Sequence, residues 1–188
     1  MSRRFFELSD DVSFPRRWHL SFPRSRQGRE FEDPIQFNRG HPVDVEGPLQ
    51  VSVEHAGSPL DFSEAGAKVP IVHVKVASIF AEQAPEDVQL IPVNVEGQPD
   101  QYLVLVATRL IRCIDEKASQ IRLWTHADGL PEMAGTYASV RDMRIAKTQV
   151  GKAKVFRPEG WEVALIVSGE IREALERKGA TGARFEEV

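Results

Sequence analysis

Seven of the twelve prolines in this 188-residue chain fall within the first 70 residues, separated by turn chemistry such as Asn38-Arg39-Gly40-His41-Pro42. Proline lacks an amide hydrogen and clashes with the preceding helical turn, so this part of the chain is barred from long helices and must run as short extended pieces. Six of the ten phenylalanines also lie in the first 40 residues (Phe5, Phe6, Phe14, Phe22, Phe31 and Phe37), together with Trp18. That much aromatic surface is costly to leave in water. The sequence therefore predicts one domain over 1–188, in which a folded segment, 1–60, wraps a body formed by 61–188. Short strands are expected at 4–8, 18–21 and 49–54. In the last of these, Leu49, Val51 and Val53 alternate with Gln50, Ser52 and Glu54, so one face should be buried.

Beyond residue 70 the apolar spacing changes. Val72, Val76, Ile79 and Phe80 fit a helix over 73–83, ended by Pro85. A strand over 88–95 follows. After the turn Gly97-Gln98-Pro99-Asp100, the stretch 102–114 is apolar on both faces through Leu103, Val104, Leu105, Val106 and Ala107, the pattern of a central strand. Further strands are expected at 121–124, 143–146 and 153–156, with a turn-rich loop over 126–131. The C-terminal reading is a strand over 162–167, an N-cap at Ser168, a helix over 169–178 with Ile171, Ala174 and Leu175 on one face, a stop at Gly179 and a strand over 184–188. Residues 72–93 and 167–188 can be laid over each other without a gap at an offset of 95, pairing Val76 with Ile171 and Phe80 with Leu175. Only the terminal valines are identical, so a shared architectural grammar explains the match better than a duplicated ancestor. The predicted fold class is α+β, with a mixed, mainly antiparallel sheet and two principal helices.

Net charge is -4, but residues 1–40 hold eight Arg against six acids, which leaves the body at about -6. A broad basic footprint for nucleic acid is absent. Arg and aromatic residues do interleave at the N-terminus, yet Glu7, Asp10, Asp11, Glu30, Glu32 and Asp33 cancel most of that field, so the arginines read as solvated tips on aromatic anchors. No run approaches the roughly 20 apolar residues that cross a bilayer. The stretch Met1 to Glu7 lacks the apolar core of a secretory signal, which places the expected compartment in the cytoplasm. Cys113 is the single cysteine, so neither an intrachain disulfide nor a thiolate zinc site can form, and its neighbours Ile111 and Ile114 make it apolar filling. The five histidines show no ligand spacing, and no G-x-S-x-G elbow occurs. Gly151-Lys152 lacks the glycine and hydroxyl of a phosphate loop, since Ala146 and Ala153 stand at those places. No metal, cofactor or catalytic residue is expected.

Asp115, Glu116 and Asp128 read as a solvated turn, or as carboxylates held on a loop for the Lys or Arg of a partner. Trp124, Trp161 and Tyr137 read as core, with an interface role as the alternative, and Trp161 is the most core-like. The run Leu90-Ile91-Pro92-Val93, the stretch 102–114 closing in Asp115-Glu116-Lys117-Ala118-Ser119, and the ending Ile166-Val167-Ser168, Glu170, Ala174-Leu175, Gly179, Thr181-Gly182 and Arg184-Phe185 resemble a family of immunity proteins from bacterial polymorphic toxin systems, numerous in myxobacteria. The resemblance covers about 60–188 well and the N-terminal part loosely. It implies a cytoplasmic, non-enzymatic protein that binds a cognate toxin encoded beside it, with no catalytic residue carried over. Asp115, Glu116, Trp124, His126 and Asp128 are the partner-binding candidates. Self-association is compatible with this reading. The rivals are an effector-binding module, which needs a concave apolar pocket with a few convergent polar groups, and a small enzyme.

Overall fold

Strands buried on both faces account for most of the core, and the apolar run ending at Ala107 shows how. Leu105 and Ala107 face one core cluster while Val104 and Val106 face another, and all four are fully buried. The computed structural model describes residues 3–188; Met1 and Ser2, which open the stretch Met1 to Glu7 read above, lie outside the described residues. In chain order, the proline-rich part contributes β1 (Phe5–Asp10), β2 (His19–Leu20), β3 (Leu49–Val51), β4 (Val53–His55) and β5 (Phe62–Ala65). Strand β6 (Val69–His73) runs into helix α1 (Val74–Gln83), followed by β7 (Val88–Val95), β8 (Tyr102–Ala107) and β9 (Leu110–Ile111). Then come β10 (Gln120–Leu123), β11 (Tyr137–Arg141), β12 (Val155–Pro158), β13 (Leu165–Ser168), helix α2 (Gly169–Arg177) and β14 (Ala183–Glu187).

Two five-stranded sheets result, in the orders β3-β7-β8-β6-β5 and β14-β1-β13-β12-β9. Pairing is antiparallel except for β3 with β7 and β9 with β12. The fold class is α+β, as the sequence predicts, with sheet dominant. Strand β8 takes the central place in its sheet, but it is shorter than the 102–114 run: the chain leaves the ladder at Thr108 and crosses to the edge of the other sheet as the two-residue β9. No ladder forms over 143–146. Met143 and Ile145 are buried there by a chain that passes irregularly over a sheet and makes one bridge, Ile114 to Ile145.

Each helix follows a strand directly and is capped by the residue at the joint. Ser168 Oγ accepts from the Ile171 amide at 3.5 Å, and His73 Nδ1 accepts from the Lys75 amide at 3.2 Å. These bonds satisfy amides that the first helical turn leaves free. Gly179 then turns the chain out of α2 with φ +65°, a conformation natural to glycine.

The two helices and the facing sides of both sheets share one apolar cluster, in which Val76 and Phe80 of α1 meet Ile171 and Leu175 of α2. The outer side of the β8 sheet is covered by Trp18, Leu20, Phe37 and Leu60 from the proline-rich part. Trp18 is 2% exposed, donates from Nε1 to Ser63 Oγ at 2.7 Å and packs its ring against Tyr102. The outer side of the β13 sheet is covered by Cys113, Met143, Ile145 and Val150.

Candidate partner-binding face

The cover over the β13 sheet contains a segment that buries little of itself. Strands β10 and β11 pair only with each other, Ile121 opposite Val140, with a bulge at Arg122/Leu123. Between them the chain makes two short 3-10 turns, and Gly129 and Gly135 adopt positive φ. Leu123, Leu130 and Met133 are about 40% exposed, so three of the seven exposed large apolar side chains among the described residues sit on this one hairpin. Apolar exposure concentrated on a projecting element marks an interaction surface more than scattered singles do.

Trp124, at the end of β10, is half-buried, and the Arg122 guanidinium lies 5.1 Å from its ring centroid. The same arginine reaches Asp128 at 3.5 Å. Asp128 Oδ2 accepts from the Thr125 amide and hydroxyl, both at 2.8 Å, closing a capping box over the first 3-10 turn. These Thr125 bonds hold the Asp128 carboxyl below its ordinary range, with Arg122 adding to the effect. His126 stands exposed on that turn.

At the base of the hairpin lies a cleft of about 770 Å³, lined by Arg112, Asp115, Glu116, Tyr137 and Glu159 among others. Glu116 accepts from the Tyr137 hydroxyl at 2.6 Å. Burial, then the Glu116 carboxylate, push the Tyr137 phenol up to about 12. Asp115 is chiefly a turn builder: its Oδ1 accepts from the Lys117 and Ala118 amides at 3.0 and 3.1 Å. The five candidate residues thus form two groups. Trp124, His126 and Asp128 occupy the hairpin tip, while Asp115 and Glu116 occupy the cleft, with Tyr137 of β11 joining the two. The three carboxylates do not form one acidic cluster.

Neither Trp124, Tyr137 nor Trp161 is fully buried; Trp161 packs only partly on the outer cluster of its sheet. Sequence reasoning missed Leu123, Leu130 and Met133, because apolar residues default to core. The available signal was the turn-rich setting of Leu130 and Met133, where no regular element offers a face to bury them. Among the described residues no group of three His, Cys, Asp or Glu is placed to hold a metal ion. The Cys113 thiol is pushed up to about 11 by burial, so it stays protonated and unreactive at neutral pH.

Residues 84–188, which carry the hairpin, the cleft and α2, match the Imm11 immunity protein family. The match spans more than half of the chain. This protein belongs to the Imm11 immunity protein family. None of the curated proteins matches it. The Imm11 match begins just after α1, so β1, which lies inside the β13 sheet, comes from outside the matched stretch. No helix in the described part of this Imm11 protein is long and apolar enough to cross a membrane.

Proposed function

We propose that this Imm11 protein acts in the cytoplasm by binding and neutralising a cognate bacterial toxin, encoded by an adjacent gene, through occlusion and without chemistry of its own. The hairpin and the cleft at its base are the proposed contact face. The observation that supports this most is the gathering of Leu123, Leu130 and Met133 in water beside half-buried Trp124. Interfaces draw most of their energy from a few apolar and aromatic anchors, while the charged rim sets orientation and the rate of encounter. Arg122, Asp128, Glu116 and Glu132 supply such a rim. The sheets behind the face are fixed by two buried clusters, so little ordering cost falls on binding.

Co-expression with the product of the adjacent gene tests the reading. Rescue of growth and co-purification of the two chains are expected. Leu130→Asp with Met133→Asp should abolish both while the protein stays folded. A toxic neighbour that is neither bound nor relieved by the wild-type chain would overturn the proposal, and full protection by the doubly substituted chain would move the contact face elsewhere.

A further inference from the structure

A second concave site lies away from the hairpin, where the proline-rich cover meets the edge of the β13 sheet. Its volume is about 330 Å³, and Ile35, Ala67, Leu110 and Val163 give it apolar walls. Ile35 and Val163 are 47% and 38% exposed, so two more of the exposed large apolar side chains converge on one small cavity. Gly40 lets the two parts approach closely: at φ +72° it lies so near Leu110 that a Cβ would stand 2.9 Å from the leucine side chain. The opposite wall is equally constrained. Ala67 and Lys68 are consecutive residues at φ +60° and +56°, unusual for residues with a side chain, and the Ala67 carbonyl accepts from Asn38 Nδ2 at 2.6 Å.

Behind the lining residues Asn38 and Val163 lies a buried side chain with incomplete hydrogen bonding, Arg157. Asn38, 6% exposed, accepts at Oδ1 from Arg157 Nη2 at 2.8 Å, and Arg157 Nη1 donates to the Val163 carbonyl at 3.1 Å. The guanidinium thus bonds two residues that line the cavity and sits directly behind them. It is 1% exposed, both acceptors are neutral, and Nε has no partner at all. Glu64 and Glu7 act on it only through space, and neither forms an ion pair with it among the described residues. A buried cation is normally paired, and an unpaired buried N–H calls for an explanation. On the rim, Arg39 is engaged by Asp33, His41 is exposed, and the Glu162 carboxylate is turned to the Gly160 amide, from which it accepts while keeping its charge.

We infer that this cavity binds a small aliphatic monocarboxylate, its chain between Ile35, Leu110 and Val163 and its charge toward the Asn38–Arg157 pair. Apolar walls with a few convergent polar groups suit such an amphiphile, and the site is independent of toxin binding. Titration of the isotope-labelled protein with sodium hexanoate, hexylammonium chloride and 1-hexanol, followed by amide NMR, tests it. Hexanoate should give saturable shifts centred on Asn38, Ala67, Leu110 and Val163, with affinity at least tenfold above the other two probes. Val163→Asp changes a partly exposed side chain and so keeps the fold; it should weaken hexanoate at least tenfold without moving the hairpin resonances. Arg157→Met, if it folds, should make hexanoate and hexanol equivalent. Absence of saturable shifts, equal response to hexanol or hexylammonium in the wild-type protein, or unchanged affinity in Val163→Asp would each overturn the assignment.

Discussion

The two halves of this molecule share a frame and differ in what covers it. In one, β5, β6, α1 and β7 follow in sequence, and β8 enters between β6 and β7, antiparallel to both. In the other, β12, β13, α2 and β14 follow in the same way, and β1 enters between β13 and β14, antiparallel to both. The four-strand orders β5-β6-β8-β7 and β12-β13-β1-β14 are therefore equivalent. The central strand is supplied after the unit in the first half and before it in the second, so the chain ties its beginning to its end. The fifth strand breaks the correspondence. Strand β3 covers the edge of β7, whereas the equivalent edge of β14 stays open and carries exposed Arg184, Glu186 and Glu187, the usual charged protection of an open edge.

The covers differ more. The β8 sheet is closed by a wrap that turns Trp18 and Phe37 inward, both at most 2% exposed, and leaves Phe22 at its surface. The β13 sheet is closed by residues that also build a hairpin with its apolar side chains in water. A structural cover and a presenting cover should respond differently to the same change. Trp18→Ala is expected to cost about 3–5 kcal/mol, the range for deleting a fully buried aromatic, and to lower the melting temperature sharply. Trp124→Ala should cost less than about 1 kcal/mol, because its ring is only half-buried and packs against a solvated arginine. Equal losses in thermal denaturation would erase the distinction. On the binding side the ranking reverses. Leu130→Asp with Met133→Asp should remove about 2 kcal/mol or more of toxin affinity, the size of an interface anchor, with no change in melting temperature. Trp18 variants that still fold should bind normally.

Much of this frame is legible in the sequence, for local reasons. The helices over 74–83 and 169–177 show as 3.6-residue spacing, the first ended by Pro85 and the second closed by a cap and a stop, and β8 shows as a run apolar on both faces. The offset of 95 between the halves is legible too, because Val76 and Phe80 need the same apolar spacing as Ile171 and Leu175 to reach a shared cluster. The insertion of β1 between β13 and β14 is not, since it depends on pairing between residues about 160 to 180 positions apart that no local pattern records. The candidate face was readable as a turn-rich loop bearing His126 and Asp128 beside an expected strand that ends at Trp124. Its apolar exposure was not, because Leu130 and Met133 carry the same letters a core would. Arg157 was equally hidden: it follows the strand expected at 153–156, where nothing in the local pattern marks a charged residue as buried, yet it is one of the most buried side chains.

The seam between the halves holds the next prediction. Asp10 of β1 and Glu64 of β5 come from different sheets and meet through a hydrogen bond, while Arg17 pairs with Asp10 at 2.6 Å. Burial, and then Asp10, push the Glu64 carboxyl up to about 7 against the opposing pull of Lys68 and Arg157. The folded chain therefore holds this proton more tightly than the unfolded chain, whose carboxyl titrates near its ordinary 4.5. The associated stability is fully present below that value and is lost as pH rises through about 7, on the order of 3 kcal/mol. Glu64→Gln keeps a neutral hydrogen-bonding group at all pH values. Its stability relative to the wild-type chain should rise steadily between pH 5 and pH 8 in urea denaturation. A difference that stays flat with pH would mean that the seam carries no shared proton.

The smallest effects should separate the two joints at which strand becomes helix. Ser168 caps α2 through a hydroxyl alone, so Ser168→Ala should cost about 1 kcal/mol and Ser168→Asp should recover most of it, because a carboxylate at that place accepts from the same amide and suits the positive end of the helix. His73 caps α1 with a ring nitrogen, and the same ring packs edge-on against Tyr102 and reaches Asp100 at 3.8 Å. Replacing it by Asn restores an acceptor for the Lys75 amide but not the ring contact, so recovery by a capping residue should be nearly complete at position 168 and only partial at 73. Full recovery at both positions would show that the equivalence of the halves extends to their helix starts, and that the His73 ring adds nothing beyond its nitrogen.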